Sequence, residues 1–288
     1  MNRPVTERRN PRTLRLDRLS SREIVERVHR EDARVPAAVA KVAAATARAV
    51  DLIVDRLRRG GRLFLAGAGT SGRLAALEAA ECPPTFGTPP SLVQAAIAGG
   101  RSALTRSIEG AEDDARAGAR ALSRVRARDA VIGISASGTA PFVIGALNHA
   151  RRRGATTIFL TCAPTPHEAD VVITPIVGPE VIAGSTRLKA GTATKLVLNA
   201  ITVAVMTRLG KVHENLMVDV QPTNAKLRAR ARRIVRELTG RAPEAALEAA
   251  RGRVKTAVVM LRRGVNAREA DRLLAAKRGN LRGALEGR

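Results

Sequence analysis

The sequence predicts an open, parallel α/β sheet of five strands flanked by helices, with helices ahead of it and a small helical subdomain behind. Three observations predict it. Short apolar runs at Leu63–Ala66, Val93–Ile97, Ala130–Ile134, Thr157–Leu160 and Val171–Thr174 recur with helical stretches between most of them, the alternation that βαβ units produce. Aromatic residues are 1% of the chain while 45% is hydrophobic, so the core is Ala, Val, Leu and Ile, which suits parallel strands covered on both faces. After about Pro222 the pattern is helical to the end, interrupted at Gly240, Gly252, Gly264 and Gly279.

In chain order, residues 1–15 are polar and Arg-rich and read as a mobile basic tail. Residues 16–221 read as the sheet domain with its N-terminal helices, and 222–288 as the helical subdomain. Ser20-Ser21-Arg22-Glu23 has the form of a capping box opening a short helix. A long Ala-rich helix is expected from about Pro36 to Arg59, stopped by Gly60-Gly61, and a long apolar one from Gly191 to Leu209. No uninterrupted apolar run approaches the roughly 18 residues of a membrane span, and the N-terminus lacks the apolar stretch of a signal peptide. Cys82 and Cys162 make no disulfide framework. A cytoplasmic location, without membrane attachment, is the expectation.

The formal charge of +24 raises nucleic acid as a partner. The cations are mostly Arg, spread along the chain and placed in segments of helical periodicity. Zinc-finger spacing, RNA-binding aromatic motifs and the aromatics that stack on single strands are missing, so a solvated basic surface is the expectation and nucleic acid is not. His29, His149, His167 and His213 form no ligand-spaced cluster, so no metal is expected, and no cofactor.

Two loops carry the chemistry. The first strand runs into Gly67-Ala68-Gly69-Thr70-Ser71-Gly72-Arg73, formally a dinucleotide fingerprint. The acidic residue about 20 positions on that a dinucleotide ribose requires is missing. Hydroxyls, backbone N–H groups and a helix start instead suit a terminal phosphate. The third strand leads similarly into Ser135-Ala136-Ser137-Gly138-Thr139, ahead of Pro141 at a helix start. Two such loops on neighbouring strands would clasp one phosphomonoester.

This two-loop pattern resembles the sugar isomerase (SIS) domain, a five-stranded parallel α/β sandwich that binds phosphosugars. Longer blocks narrow the resemblance. Gly67 to Arg73 followed by Glu81-Cys82-Pro83-Pro84-Thr85-Phe86-Gly87 is similar to the N-acetylmuramic acid 6-phosphate etherase family. So are Ile97-Ala98-Gly99-Gly100, Glu109-Gly110-Ala111-Glu112-Asp113-Asp114, Val177-Gly178-Pro179-Glu180-Val181-Ile182, Gly184 to Thr192 and Asn215 to Gln221. The resemblance runs from about Leu16 to the C-terminal helices. It departs in the second loop, where the family usually has Arg-Thr-Pro-Tyr and this chain has Thr139-Ala140-Pro141-Phe142. Related SIS regulators of sugar kinases also carry Ala-Pro-Phe there, so the alternative of a non-catalytic sugar-phosphate-binding regulator stands beside the enzyme.

The resemblance implies a lyase of amino-sugar and peptidoglycan recycling that removes D-lactate from C3 of the phosphorylated sugar. It implies a homodimer, and Glu81 and Glu112 as the catalytic carboxylates, with Glu81 protonating the leaving lactate oxygen and Glu112 serving as the C2 base or water activator. The loops put Thr70, Ser71, Gly72, Ser135 and Ser137 on the substrate phosphate. Lys189, or Arg187 beside it, is expected to meet the phosphate or the lactyl carboxylate, and Asn215 and Asp219 to brace a turn.

Overall fold

A computed structural model describes residues 4–287. Its five strands, β1 (Leu63–Gly67), β2 (Val93–Ile97), β3 (Ala130–Ile134), β4 (Thr156–Leu160) and β5 (Val171–Ile173), pair in the order β2-β1-β3-β4-β5, every pair parallel. β1, β3 and β4 are buried along their whole length, as strands covered on both faces must be.

The helices are α1 (Ser21–Asp32), α2 (Val35–Ala40), α3 (Ala43–Arg58), α4 (Gly69–Phe86), α5 (Ala115–Ala121), α6 (Pro141–Arg152), α7 (Lys189–Arg208), α8 (Ala225–Thr239), α9 (Glu244–Ala249), α10 (Val254–Arg263), α11 (Ala267–Ala276) and α12 (Leu281–Glu286). The chain separates into two compact units, one of residues 1–79 and 91–202 and the other of residues 80–90 and 203–288. The helical unit therefore starts earlier than the expected boundary at 222 and includes the Glu-Cys-Pro-Pro segment.

In the first unit, Phe64, Ala66, Val131 and Phe159 form one apolar layer with Phe142, Val143, Ala146, Leu147 and Ala150 of α6. α3 covers the opposite side of β3–β5 with Ile53, Val54 and Leu57 buried. α5 and α6 approach closely through glycine: a Cβ on Gly118 would collide with the Phe142 carbonyl oxygen, and one on Gly145 with that of Ala115. Ser20 and Glu23 do form a capping box at the start of α1. The expected single helix over 36–59 is two helices. α2 buries Val35 and Ala38 beside Cys162, Ala190 and Ala193, whereas α3 lies on the strands, so the chain turns at Lys41–Val42 to satisfy both.

The expected mobile tail is a docked strap from Pro4 onward; Met1–Arg3 lie outside the described residues. Thr6, Asn10 and Thr13 are buried. Gly184 donates its N–H to the Thr6 carbonyl at 3.1 Å, and the Thr13 hydroxyl donates to Val181 at 2.8 Å. The Asn10 amide donates to the Pro179 carbonyl and to Glu31. Composition concealed this, because what holds the strap is a buried ion cluster. Glu31 receives Arg12 and, at 2.7 Å, the ammonium of Lys189, which is wholly buried. A buried charge persists only when paired in this way.

α7 is long and apolar enough, by length and composition, to cross a membrane, yet half of that stretch is buried inside the fold. Lys189 and Lys195, paired with Glu31 and Glu78, mark it as a core helix. Glu180, fully buried, accepts the N–H groups of Lys189 at 3.0 Å and Ala190 at 2.9 Å and so caps α7; burial raises its carboxyl pKa against the pull of those two bonds. Cys162 is a free, buried thiol pushed up to about 12 by burial, which makes it inert.

The helical unit packs Val218 and Val220 with α8–α12 around Val235, Val258 and Val259. α8 ends at Gly240 and α10 at Gly264, where the sequence placed breaks. Asp219 accepts Lys255 at 2.8 Å and Lys211 at 2.9 Å, the bracing role expected of it.

Arg12, then Lys189 and Asn10, hold the Glu31 carboxyl well below the usual carboxylate range. Its stabilisation is therefore complete above the unfolded value of about 4.3 and is lost as pH falls below it. Glu31→Gln, which strands Lys189 in the core, is expected to lower unfolding free energy at pH 7 by about 3–5 kcal/mol. Urea melts across pH 3–7 should show the gap from wild type closing only at the acid end.

Candidate functional site

In a sheet of order 2-1-3-4-5, the chain leaves β1 and β3 toward opposite sides, and a crevice opens beyond their carboxyl ends. There the first unit has a cavity of about 240 Å³. Ala68, Gly69, Thr70 and Ser71 line it from the first loop, and Ile134, Ser135, Ala136, Ser137 and Ala140 from the second. The remaining wall is Glu7, Glu112, Gly184, Thr186, Gly191 and Thr194.

The first loop is tighter than the sequence suggested. α4 begins at Gly69, so Thr70 and Ser71 occupy its first turn, where backbone N–H groups have no partner within the helix. Gly72 lies behind them and outside the cavity wall. A Cβ there would press on Ile97 of β2 and the Gly67 carbonyl oxygen, so its part is to bring α4 close to the sheet. In the second loop Ser135 is buried, and its hydroxyl lies 3.4 Å from the Ala140 N–H. The Ser137 and Thr139 hydroxyls share a hydrogen bond of 2.8 Å.

These surfaces offer hydroxyls, the free amides of a helix start and its positive dipole end, the donor set that anions select. No Lys or Arg lines the cavity among the described residues. Its two carboxylates, Glu7 and Glu112, set aside a part of the wall suited to donor groups rather than to phosphate.

Glu112 stands in a one-turn 3-10 segment, Ala111–Asp113, packed against α6. The glycine-mediated approach of α5 to α6 fixes this segment, and the Asp114 carboxylate caps α5 by accepting the Ala117 N–H at 2.8 Å. Glu112 also borders a second cavity of about 180 Å³ with Arg73, Arg106 and Ser107. Arg73 donates to the carbonyls of Leu104 and Arg106, which ties this loop to α4.

Of the expected site residues, Thr70, Ser71, Ser135, Ser137 and Glu112 share the cavity. Lys189 does not, because its ammonium is spent on Glu31 in the core; Arg187 is exposed and also absent from the wall. In that block it is Thr186 that lines the cavity. Glu81 belongs to the other compact unit, exposed on the last turns of α4. α4 continues through Pro83 and Pro84, whose fixed φ fits a helix although they give up two N–H donors. Glu78, one turn earlier and buried, accepts the Lys195 ammonium at 2.9 Å and the Thr202 hydroxyl, a structural tie between α4 and α7. Among the described residues no three His, Cys, Asp or Glu side chains gather as metal ligands do.

Comparison with known proteins places this geometry. The family described as Glucokinase regulatory protein N-terminal SIS domain matches residues 45–151, and SIS domain matches 108–204. A protein named N-acetylmuramic acid 6-phosphate etherase from Rubrobacter xylanophilus is 54% identical, over 99% of this chain and 97% of its own. One of the same name from Serratia proteamaculans is 51% identical over 98% of this chain and 97% of its own. The chain belongs to the N-acetylmuramic acid 6-phosphate etherase family. Among solved structures, phosphoheptose isomerase from Neisseria gonorrhoeae is 21% identical and superposes with a TM-score of 0.51, over 65% of this chain and all of that one. A putative phosphosugar isomerase from Bacteroides fragilis gives 0.52 at 23% identity, over 68% of this chain and 95% of its own. Both share the SIS fold.

Within this etherase-family chain the departure in the second loop is local. Phe142 is buried against the sheet and faces the core, so its ring is no part of the cavity; Ala140 is. Thr139 stands where the family usually has Arg, so a hydroxyl bonded to Ser137 replaces a cation at this position.

Ser71→Ala and Ser135→Ala should each weaken a phosphate monoester by about 10-fold or more, the value of one hydrogen bond to a charged group. Ser71→Asp, which sets a like charge at the helix start, should abolish binding. Calorimetric titration with a sugar 6-phosphate, compared with the same sugar unphosphorylated, measures both effects.

Proposed function

We propose that this protein is a carbon–oxygen lyase that cleaves the D-lactyl ether of N-acetylmuramic acid 6-phosphate, giving N-acetylglucosamine 6-phosphate and D-lactate. The observation that carries this reading is the joint placement of Thr70, Ser71, Ser135, Ser137 and Glu112 around one cavity, in a chain more than half identical to a named etherase over nearly its whole length.

The chemistry follows from the substrate. In the open-chain sugar, C2 lies beside the aldehyde and its proton is acidic. A base removes that proton, the electron pair forms the C2=C3 double bond, and the C3–O bond breaks. The oxygen leaves with the lactyl group and takes a proton from an acid. Water then adds at C3 and a proton returns to C2. Each positioned acid or base contributes about 10²–10⁴-fold. We assign Glu112 as the carboxylate that addresses the C2–C3 edge. Glu81 is assigned on the family motif as the acid for the departing lactate oxygen. The reading includes a homodimer in the cytoplasm, where phosphorylated sugars are available, in the recycling of cell-wall amino sugars.

The regulator alternative keeps a specific basis, the Ala140-Pro141-Phe142 sequence and the match of residues 45–151. Turnover separates the two. Purified protein incubated with N-acetylmuramic acid 6-phosphate should release lactate, and Glu112→Gln and Glu81→Gln should each slow release at least 100-fold while still binding the sugar phosphate. Wild-type rates in both variants would remove the assignment, and sugar-phosphate binding without lactate would favour the regulator. Gly145→Ala, which forces α6 off α5 beneath Glu112, should lower turnover about 100-fold through misplacement of that carboxylate.

A further inference from the structure

We propose that Glu7 is a substrate-binding residue, delivered into the phosphate cavity by the N-terminal strap, and that its carboxylate accepts hydrogen bonds from hydroxyl or amide N–H donors of the sugar. The proposal rests on the reading above that a sugar phosphate occupies this cavity.

Four observations carry it. Glu7 lines the cavity together with both hydroxyl loops and Glu112. It ends a one-turn 3-10 segment, Val5–Glu7, whose neighbour Thr6 is fully buried and accepts the Gly184 N–H at 3.1 Å. The Glu7 carboxylate itself lies against Gly184, where an added Cβ would stand 2.8 Å from Oε2. Beyond Glu7, the strap is anchored by Asn10 and Arg12 on Glu31, the carboxylate that also holds Lys189 at the start of α7. The strap thus spans the loop of residues 179–184 and ends in a carboxylate at the cavity wall.

The chemistry restricts what Glu7 meets. An ionised carboxylate repels a phosphate dianion, so Glu7 is set against the part of the ligand that donates. A sugar ring presents donors, its hydroxyls and, in an N-acetylated amino sugar, an amide N–H. A carboxylate accepts through two oxygens and forms stronger bonds to such groups than a neutral acceptor does. Hydroxyls and amides would then hold the phosphate end of the ligand while Glu7 orients the ring with respect to Glu112.

The test compares wild type with Glu7→Ala and Glu7→Gln by calorimetric titration with N-acetylglucosamine 6-phosphate and, separately, with inorganic phosphate. Glu7→Ala is expected to weaken the sugar phosphate about 10- to 100-fold, with inorganic phosphate within about twofold of wild type and the melting temperature unchanged. Glu7→Gln, which keeps an acceptor oxygen but loses the charge, should fall between. Unchanged sugar-phosphate affinity in Glu7→Ala overturns the proposal. So does a parallel loss for both ligands, which would mean that Glu7 only shapes the cavity. If wild type fails to bind the sugar phosphate at all, the reading of the cavity falls and the proposal with it. Binding without lactate release by wild type counts against the lyase reading alone.

Discussion

Two helices and a sheet edge meet at one place because parallel strands must be joined by right-handed crossovers. With β1 between β2 and β3, its connection and that of β3 depart on opposite sides, leaving the carboxyl ends of both strands uncovered. α4 starts directly at that opening, so its first amides point where no side chain of the sheet competes for them. The remaining elements act on this opening. Glu180 fixes the start of α7 beside it, α5 and α6 close on each other through Gly118 and Gly145 to set Glu112 at its rim, and the strap brings Glu7 to the other wall.

Electrostatics divides the cavity. The chain carries a net charge of +24, yet the lining includes no cation among the described residues. An anion held there relies on oriented N–H groups and hydroxyls, which require shape and exclusion of water more than net charge. Several positive residues of the surrounding segments are committed elsewhere: Lys189 and Arg12 to Glu31, Arg73 to two backbone carbonyls. Those commitments build the walls, and the carboxylates that line the cavity are Glu7 and Glu112.

Most of the fold was legible in the sequence, for a local reason. Each strand is a short apolar run bounded by turn residues, and the four full-length ones lie within a residue of the span their composition suggested. The hydroxyl loops were legible too, because Gly, Ser and Thr after a strand have few other uses. What escaped reading depends on partners distant in sequence. Lys189 looks like a ligand-binding cation until Glu31, 158 residues away, is seen to neutralise it. The strap looks like a disordered basic tail until Asn10, Arg12 and Thr13 find their acceptors in residues 31, 179 and 181. Glu7 was missed with it; the Asn10-Pro11 pair was the one local hint that this segment turns rather than trails. Thr186 was overlooked beside two more conspicuous cations. In the Glu-Cys-Pro-Pro segment local rules point the wrong way, because paired prolines usually end a helix and here they close its last turn.

In the proposed lyase the cradle beyond β1 and β3 holds the phosphate and sets Glu112 against the C2–C3 edge of the sugar. A crystal structure of Glu112→Gln with N-acetylmuramic acid 6-phosphate tests it most directly. The phosphate is expected within hydrogen-bond reach of the α4 start and of Ser135 or Ser137, with the altered side chain at position 112 beside C2. A phosphate bound outside these two loops, or a ring whose C2–C3 edge faces away from position 112, would contradict it.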